Sequence, residues 1–196
     1  MRVNSSLTHL KQLCEDPYFA WNNIDSELYE SKYQIIRKNY FPFFLSTIFV
    51  FAVKSFIEEP KLFNIIKKGA IYPIAILGVY LFITYTIAMI SEKTLESVGG
   101  KSKPLASYKL TFFSGLPFLA FFFLSSILSA IPYIKYLSAP LIVTGLIYQS
   151  IVFYAGAEKL LFLSKEKKIY WFLIMFTALS ILAGIVFFIA ALIFLI

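Results

Sequence analysis

Charge is what this sequence has least of. Only 15% of its 196 residues are charged and 59% are hydrophobic, against about a quarter charged and half apolar in an ordinary globular domain. Histidine and cysteine occur once each, as His9 and Cys14. One cysteine excludes an intrachain disulfide and any thiolate metal cluster. One histidine, with no carboxylates at ligand spacing, leaves no recognisable metal site, so no metal or cofactor is expected. The N-terminal stretch has no short apolar core followed by a small-residue cleavage site, so no signal peptide is expected.

What replaces charge is a set of long apolar runs. Residues 39–53, 69–91, 110–134, 136–157 and 169–196 carry no charged side chain. A helix needs about 20 apolar residues to cross about 30 Å of hydrocarbon. Four of the runs pass on length, and the first, with fifteen residues, must take in Lys54. Near the end of a span a lysine stem can carry its ammonium to the headgroups. Runs three and four are parted only by Lys135. As one helix they would be about 70 Å long, so the chain must fold back, with Pro132 to Pro140 supplying the turn. The expected fold class is all-α: a polytopic membrane protein, a bundle of five transmembrane helices at about 40–57, 70–91, 110–131, 138–157 and 170–192. A short cytosolic segment, 1–39, precedes them.

Lysine and arginine set the orientation. Thirteen lie before span one, between spans two and three, or between spans four and five; Lys54, Lys61, Lys67, Lys68 and Lys135 lie on the other side. Short loops rich in Lys and Arg stay cytoplasmic, so the N-terminus is expected inside and the C-terminus outside. The net charge of +7 reads as attraction to an anionic inner leaflet, and nothing in it calls for nucleic acid.

Within 1–39, Asp16-Pro17 reads as a helix start, with Asp as N-cap and Pro in the first turn. Trp21, Ile24, Leu28 and Ile35 then fall on one stripe at helical spacing. Such a helix either lies on the inner leaflet with Trp21 as anchor or packs on the protein's own cytosolic loops. Tyr40, Tyr72, Tyr108, Tyr133, Tyr136, Tyr170 and Trp171 stand near span ends, as an aromatic belt would.

Tests for chemistry find little. Gly99-Gly100-Lys101-Ser102 superficially matches the end of a phosphate-binding loop, but Leu95 stands where that loop needs a glycine. Ser114 has no partnering histidine to activate it, since His9 lies in the N-terminal segment. The spans hold no Asp, Glu, Arg or His, which argues against ion-coupled transport. No enzyme activity is expected. Small residues four apart, Ser125/Ser129 in span three and Ser180/Gly184 in span five, together with Gly156, are candidates for close helix packing. Gln149 is a candidate interhelical hydrogen bond or substrate contact. Pro73, Pro117 and Pro140 are candidate kinks or first-turn residues.

The order of several features resembles the Yip (Ypt/Rab-interacting) family of five-helix membrane proteins, in its prokaryotic-type branch. These are Asp16-Pro17, Trp21, Ile24 and Glu27 ahead of span one, then Gly99-Gly100-Lys101-Ser102. Tyr108, Ser114-Gly115-Leu116-Pro117, Ile131-Pro132, Tyr154-Ala155-Gly156 and the stretch 164–168 follow. The resemblance implies a non-enzymatic protein in a prokaryotic cytoplasmic membrane, or in Golgi or endoplasmic reticulum membrane if eukaryotic. The family's eukaryotic members bind Rab-type GTPases and shape membranes. This chain lacks their long Pro/Gly-rich N-terminus and aspartate-tyrosine-glycine signature, which weighs against a GTPase partner.

Two functions follow as expectations. One is a membrane adaptor or shaping factor acting through a cytosolic face of Pro17, Trp21, Ile24, Leu28, Gly99, Gly100 and Lys101 and the basic stretch 159–168. It would form homo-oligomers or join other membrane proteins. The other is a lipid scramblase or uncoupled small-molecule permease. It would use the polar patch of Ser125, Ser126, Ser129, Thr144, Gln149 and Ser150.

Overall fold

Helix signals at chain level become helices one by one in the computed structural model. It describes residues 5–26, 31–58, 61–98, 105–161 and 163–195, with only the backbone for residues 5, 6, 26, 64, 65, 179 and 182–195. Leu28, Gly99, Gly100 and Lys101 lie outside the described residues, and Gly184 falls where the backbone alone is described.

Helix α1 (Ser5–Glu15) ends one residue before Asp16, whose Oδ1 accepts the Phe19 N–H at 3.0 Å and caps α2 (Pro17–Ser26). Ser31 Oγ caps α3 (Lys32–Asn39) through the Gln34 N–H. The chain continues through α4 (Phe41–Glu58) and α5 (Leu62–Ile66). A π-helical turn, Lys67–Ile71, then widens the helix just before Pro73, in the first turn of α6 (Tyr72–Ser97). A proline ring clashes with the carbonyl four residues back, and a widened turn is one way to accommodate it. Helix α7 (Ala106–Ser129) is followed by a reversal with a 3-10 turn at Lys135–Leu137. Pro140 lies in the first turn of α8 (Ser138–Leu160), and α9 (Lys165–Leu195) follows. There is no strand among the described residues.

Four helical stretches are long and apolar enough to cross a membrane: Phe41–Glu58, Lys67–Ser97, Ala106–Ser129 and Lys135–Leu160. Burial separates one of them from the rest. In α7, 61% of the apolar window is buried inside the protein, against 11–28% in the others. Every residue of α7 from Ala106 to Pro117 is buried. Helix α7 is the axis, touched by α1, α2, α3, α4, α6 and α8.

Side-chain bonds give the helix directions. Tyr40, at the start of α4, reaches Phe112 near the start of α7, and Lys54 near the end of α4 reaches Ser129 at the end of α7. Helices α4 and α7 therefore run parallel. Phe153 stacks on Trp171 and Glu158 pairs with Lys168, so α8 and α9 run antiparallel. The Lys54 ammonium donates to Ser129 Oγ at 3.2 Å and lies 3.9 Å from Glu58. Its charge is held at the helix ends, away from the middle of α4.

The N-terminal segment does not stand apart from the bundle. Leu13, Ala20, Trp21, Ile24 and Ile35 are fully buried, and α1–α3 form a layer over the first half of α7 and the second half of α8. The stripe spaced for a helix face is there, but for Trp21, Ile24 and Ile35 it is covered by protein. Three residues of the expected aromatic belt are likewise interior: Tyr40, Tyr108 and Trp171. Tyr72, Tyr133, Tyr136 and Tyr170 are exposed. Trp171 is covered by α8, where it stacks on Phe153, while its neighbour Tyr170 faces outward.

Candidate functional site

Trp21 is seated on Gly156. A Cβ added at Gly156 would lie 2.4 Å from Trp21 Cε2 and 2.6 Å from Leu110 Cδ1, so the indole occupies the space that the missing side chain leaves. Its Nε1–H donates to the Val152 carbonyl at 3.0 Å. Two further side chains latch the same layer. The Tyr148 hydroxyl donates to the carbonyls of Leu13 and Cys14 at the end of α1, at 2.9 and 3.1 Å. Lys109 Nζ donates to the carbonyls of Ile24 and Asp25 near the end of α2, both at 3.1 Å. The last carbonyls of a helix lack intrahelical partners and carry its negative pole, so a buried lysine suits that place. His9 lies edge-on to Phe113 at 5.0 Å.

The packing candidates divide. Ser125 Oγ bridges to the Ser138 carbonyl across the α7–α8 turn, and Ser129 receives Lys54. Ser180 bonds only its own helix, at Phe176. The expected polar patch does not converge. Ser126, Thr144 and Ser150 each donate to a carbonyl four residues back on their own helix, which satisfies a hydroxyl without making a path.

Pro117 sits inside α7 and has no N–H to give the Phe113 carbonyl. One turn earlier, tyrosines from two other helices serve this helix's backbone. The buried Tyr40 hydroxyl donates to the Phe112 carbonyl at 2.8 Å. The Tyr80 hydroxyl has two acceptors, the Gly115 carbonyl and Gln149 Oε1, each at 3.4 Å. Only Gly115 allows this meeting, since an added Cβ would stand 2.2 Å from the Tyr40 hydroxyl and 2.6 Å from that of Tyr80. Sequence reasoning reached Gln149 but missed Tyr40, Tyr80, Tyr148 and Lys109. Tyrosine is frequent here, thirteen in all, and nothing in the spacing marks these as interior.

Beside Tyr80 and Gln149 a cavity of about 350 Å³ opens between α6, α7, α8 and α9. Thr84, Ile87, Thr111 and Met175 form its buried floor. Leu146 and Ser150 of α8 and Phe176 of α9 flank its mouth; Leu146 is 50% and Phe176 62% exposed. None of its described lining residues is charged. Among the buried polar atoms without a hydrogen-bond partner are Ser91 Oγ, Ser107 Oγ and Trp171 Nε1. Each lies one helical turn from a floor residue (Ile87, Thr111 and Met175), towards the end covered by α1–α3.

A second cluster lies where α3 meets the middle of α6 and the start of α7. Lys32 Nζ donates to the Tyr85 hydroxyl and stands 4.8 Å and 5.0 Å from the Tyr85 and Tyr108 ring centres. The Tyr85 hydroxyl holds the Lys32 ammonium above its usual range. Lys32 is thereby an internal tether of α3. At the α8–α9 junction, Lys168 is buried against Glu158, 2.8 Å away, and over the Tyr154 ring. Lys159, Lys165 and Lys167 are exposed there. No three potential metal-ligating side chains come together among the described residues.

The fold and these features define an all-helical membrane protein. No family model, curated protein or solved structure matches the chain.

Proposed function

We propose that this is a non-enzymatic, five-span membrane protein with its N-terminus in the cytoplasm, and that its working part is the lateral cavity, which takes up a molecule dissolved in the bilayer. The observation that carries the reading is the cavity's volume and position. About 350 Å³ falls within the range of small-molecule sites, and its mouth faces outward between two apolar helices. A fifth span is supported by α9, 31 residues long and antiparallel to α8. The N-in orientation rests on the lysine bias. Cysteines substituted for Lys135 and Lys167 in a Cys14→Ser background test both points. A membrane-impermeant maleimide should label position 135 from outside intact cells and position 167 only after lysis; labelling of both from one side would sink the topology.

A second reading, a membrane adaptor or organising factor of the kind the Yip-like motifs imply, is favoured by exposed Lys159, Lys165 and Lys167 on one junction. Its expected contacts with Trp21 and Ile24 need the N-terminal layer to open, because both side chains are buried. One experiment addresses both readings: gentle extraction from the native membrane followed by native mass spectrometry. A bound small molecule that disappears in the cavity-filling variant Ser150→Trp supports the cavity reading. A co-purifying protein that survives that substitution, with no bound small molecule, supports the adaptor instead.

A further inference from the structure

The chemistry of the cavity points to one kind of occupant. Gln149 is the central residue of the 23-residue α8, and Phe118, on the cavity wall, lies at the centre of the 24-residue α7. Leu146 and Ser150, at the mouth, are within one turn of that centre. A helix of 23 residues is about 35 Å long, close to the hydrocarbon thickness. The mouth therefore opens midway along α8, beside the point where Tyr148 meets the end of α1.

A phosphate, carboxylate or ammonium buried in the cavity is heavily penalised unless a countercharge meets it, and the described lining residues hold none. Yet the cavity is not purely apolar. Tyr80 has one hydroxyl proton for two acceptors, both at 3.4 Å, where such bonds are weak. Gln149 adds an amide with two donor hydrogens to the lining. This pair is built into the wall, and the Tyr80 hydroxyl also meets that of Tyr40. Three buried polar groups without partners lie just beyond the floor. Such groups are uncommon in folded proteins, so their concentration at one end adds hydrogen-bonding capacity there.

We propose that the occupant is an uncharged lipid, with a hydroxyl or carbonyl group held by Tyr80 and Gln149 and its hydrocarbon body against the phenylalanines of α8 and α9. Long-chain and isoprenoid alcohols, and neutral carbonyl-bearing lipids, have this chemistry; phospholipids do not. The inference rests on the reading of the cavity as a ligand site.

The test uses the full protein in nanodiscs and three diazirine-bearing probes of equal chain length: hexadecane, hexadecanol and hexadecanesulfonate. Labelling is mapped to the peptides of α8 and α9 that line the cavity. Hexadecanol should label them at least about tenfold more than the sulfonate and several-fold more than the alkane. Gln149→Leu, and separately Tyr80→Phe, should bring the alcohol down to the level of the alkane while leaving alkane labelling intact. That retained labelling shows that the cavity still exists in the variant. Equal labelling by sulfonate and alcohol would overturn the neutral-head assignment. Alcohol no better than alkane in the native protein would overturn the role of Tyr80 and Gln149. Absence of cavity labelling by all three would overturn the ligand-site reading itself.

Discussion

Trp21→Ala should lower the stability of the detergent-solubilised protein by about 3–5 kcal/mol, the usual cost of emptying a large buried aromatic site. The loss has three parts. The notch over Gly156 empties, the Val152 carbonyl loses the indole N–H, and α2 loses its deepest contact with α8. The complementary change, Gly156→Val, should act in the same direction with Trp21 intact. Its side chain would need the volume held by Trp21 and Leu110, and the stiff indole ring cannot move far enough aside cheaply. Thermal unfolding measures the loss, and limited proteolysis locates it. Both variants should be cut in residues 17–26 at protease levels that leave the native protein whole. If Trp21 served mainly as a lipid anchor, Gly156→Val would leave α2 protected, and that outcome would refute the seating described here.

The tyrosine meeting point on α7 should be nearly as sensitive. Gly115→Ala places a methyl group against the tips of Tyr40 and Tyr80. Those hydroxyls can withdraw only by leaving the Phe112 and Gly115 carbonyls, and α7 is already short of one backbone bond at Pro117. Overpacking plus a lost buried hydrogen bond predicts a cost of about 2–4 kcal/mol. Tyr40→Phe alone should cost about 1 kcal/mol, since it removes a hydroxyl and orphans one carbonyl. Combined with Gly115→Ala it should cost less than the sum, because the missing hydroxyl relieves part of the clash. Strict additivity in thermal unfolding would mean that the two side chains do not meet.

These two sites mark where sequence reading stopped. Gly156 stood out as a small residue between Ala155 and Ala157, which lets another group approach closely there. It could not reveal that the approaching group is an indole from α2. Trp21 and Ile24 stood out as an apolar stripe, and a stripe is the same pattern whether lipid or protein covers it. Gln149 stood out as the most polar residue within the spans. Its companions were missed because a tyrosine in a membrane sequence is ordinarily an interfacial or filling residue. The serines of the expected polar patch misled for a related reason. Spacing alone cannot distinguish a hydroxyl facing a neighbouring helix from one turned back onto its own backbone.

The sequence by itself determined the class. Whether a segment tolerates hydrocarbon depends on its own length and charge, so three of the four helices able to cross a membrane passed on length without reference to their neighbours, and Phe41–Glu58 only by taking in Lys54. The reversal near Lys135 followed from the same arithmetic, since about 70 Å of continuous helix does not fit one crossing. The tertiary structure decided what surrounds each helix: the layer of α1–α3 latched by Trp21, Lys109 and Tyr148, the enclosure of α7, and the cavity beside Tyr80 and Gln149. These depend on complementary shapes and hydrogen bonds between residues far apart in the chain, such as Trp21 and Val152. No local periodicity encodes such a pairing. That is why little charge and long apolar runs were enough to set the class, while the candidate site emerged only from the packing.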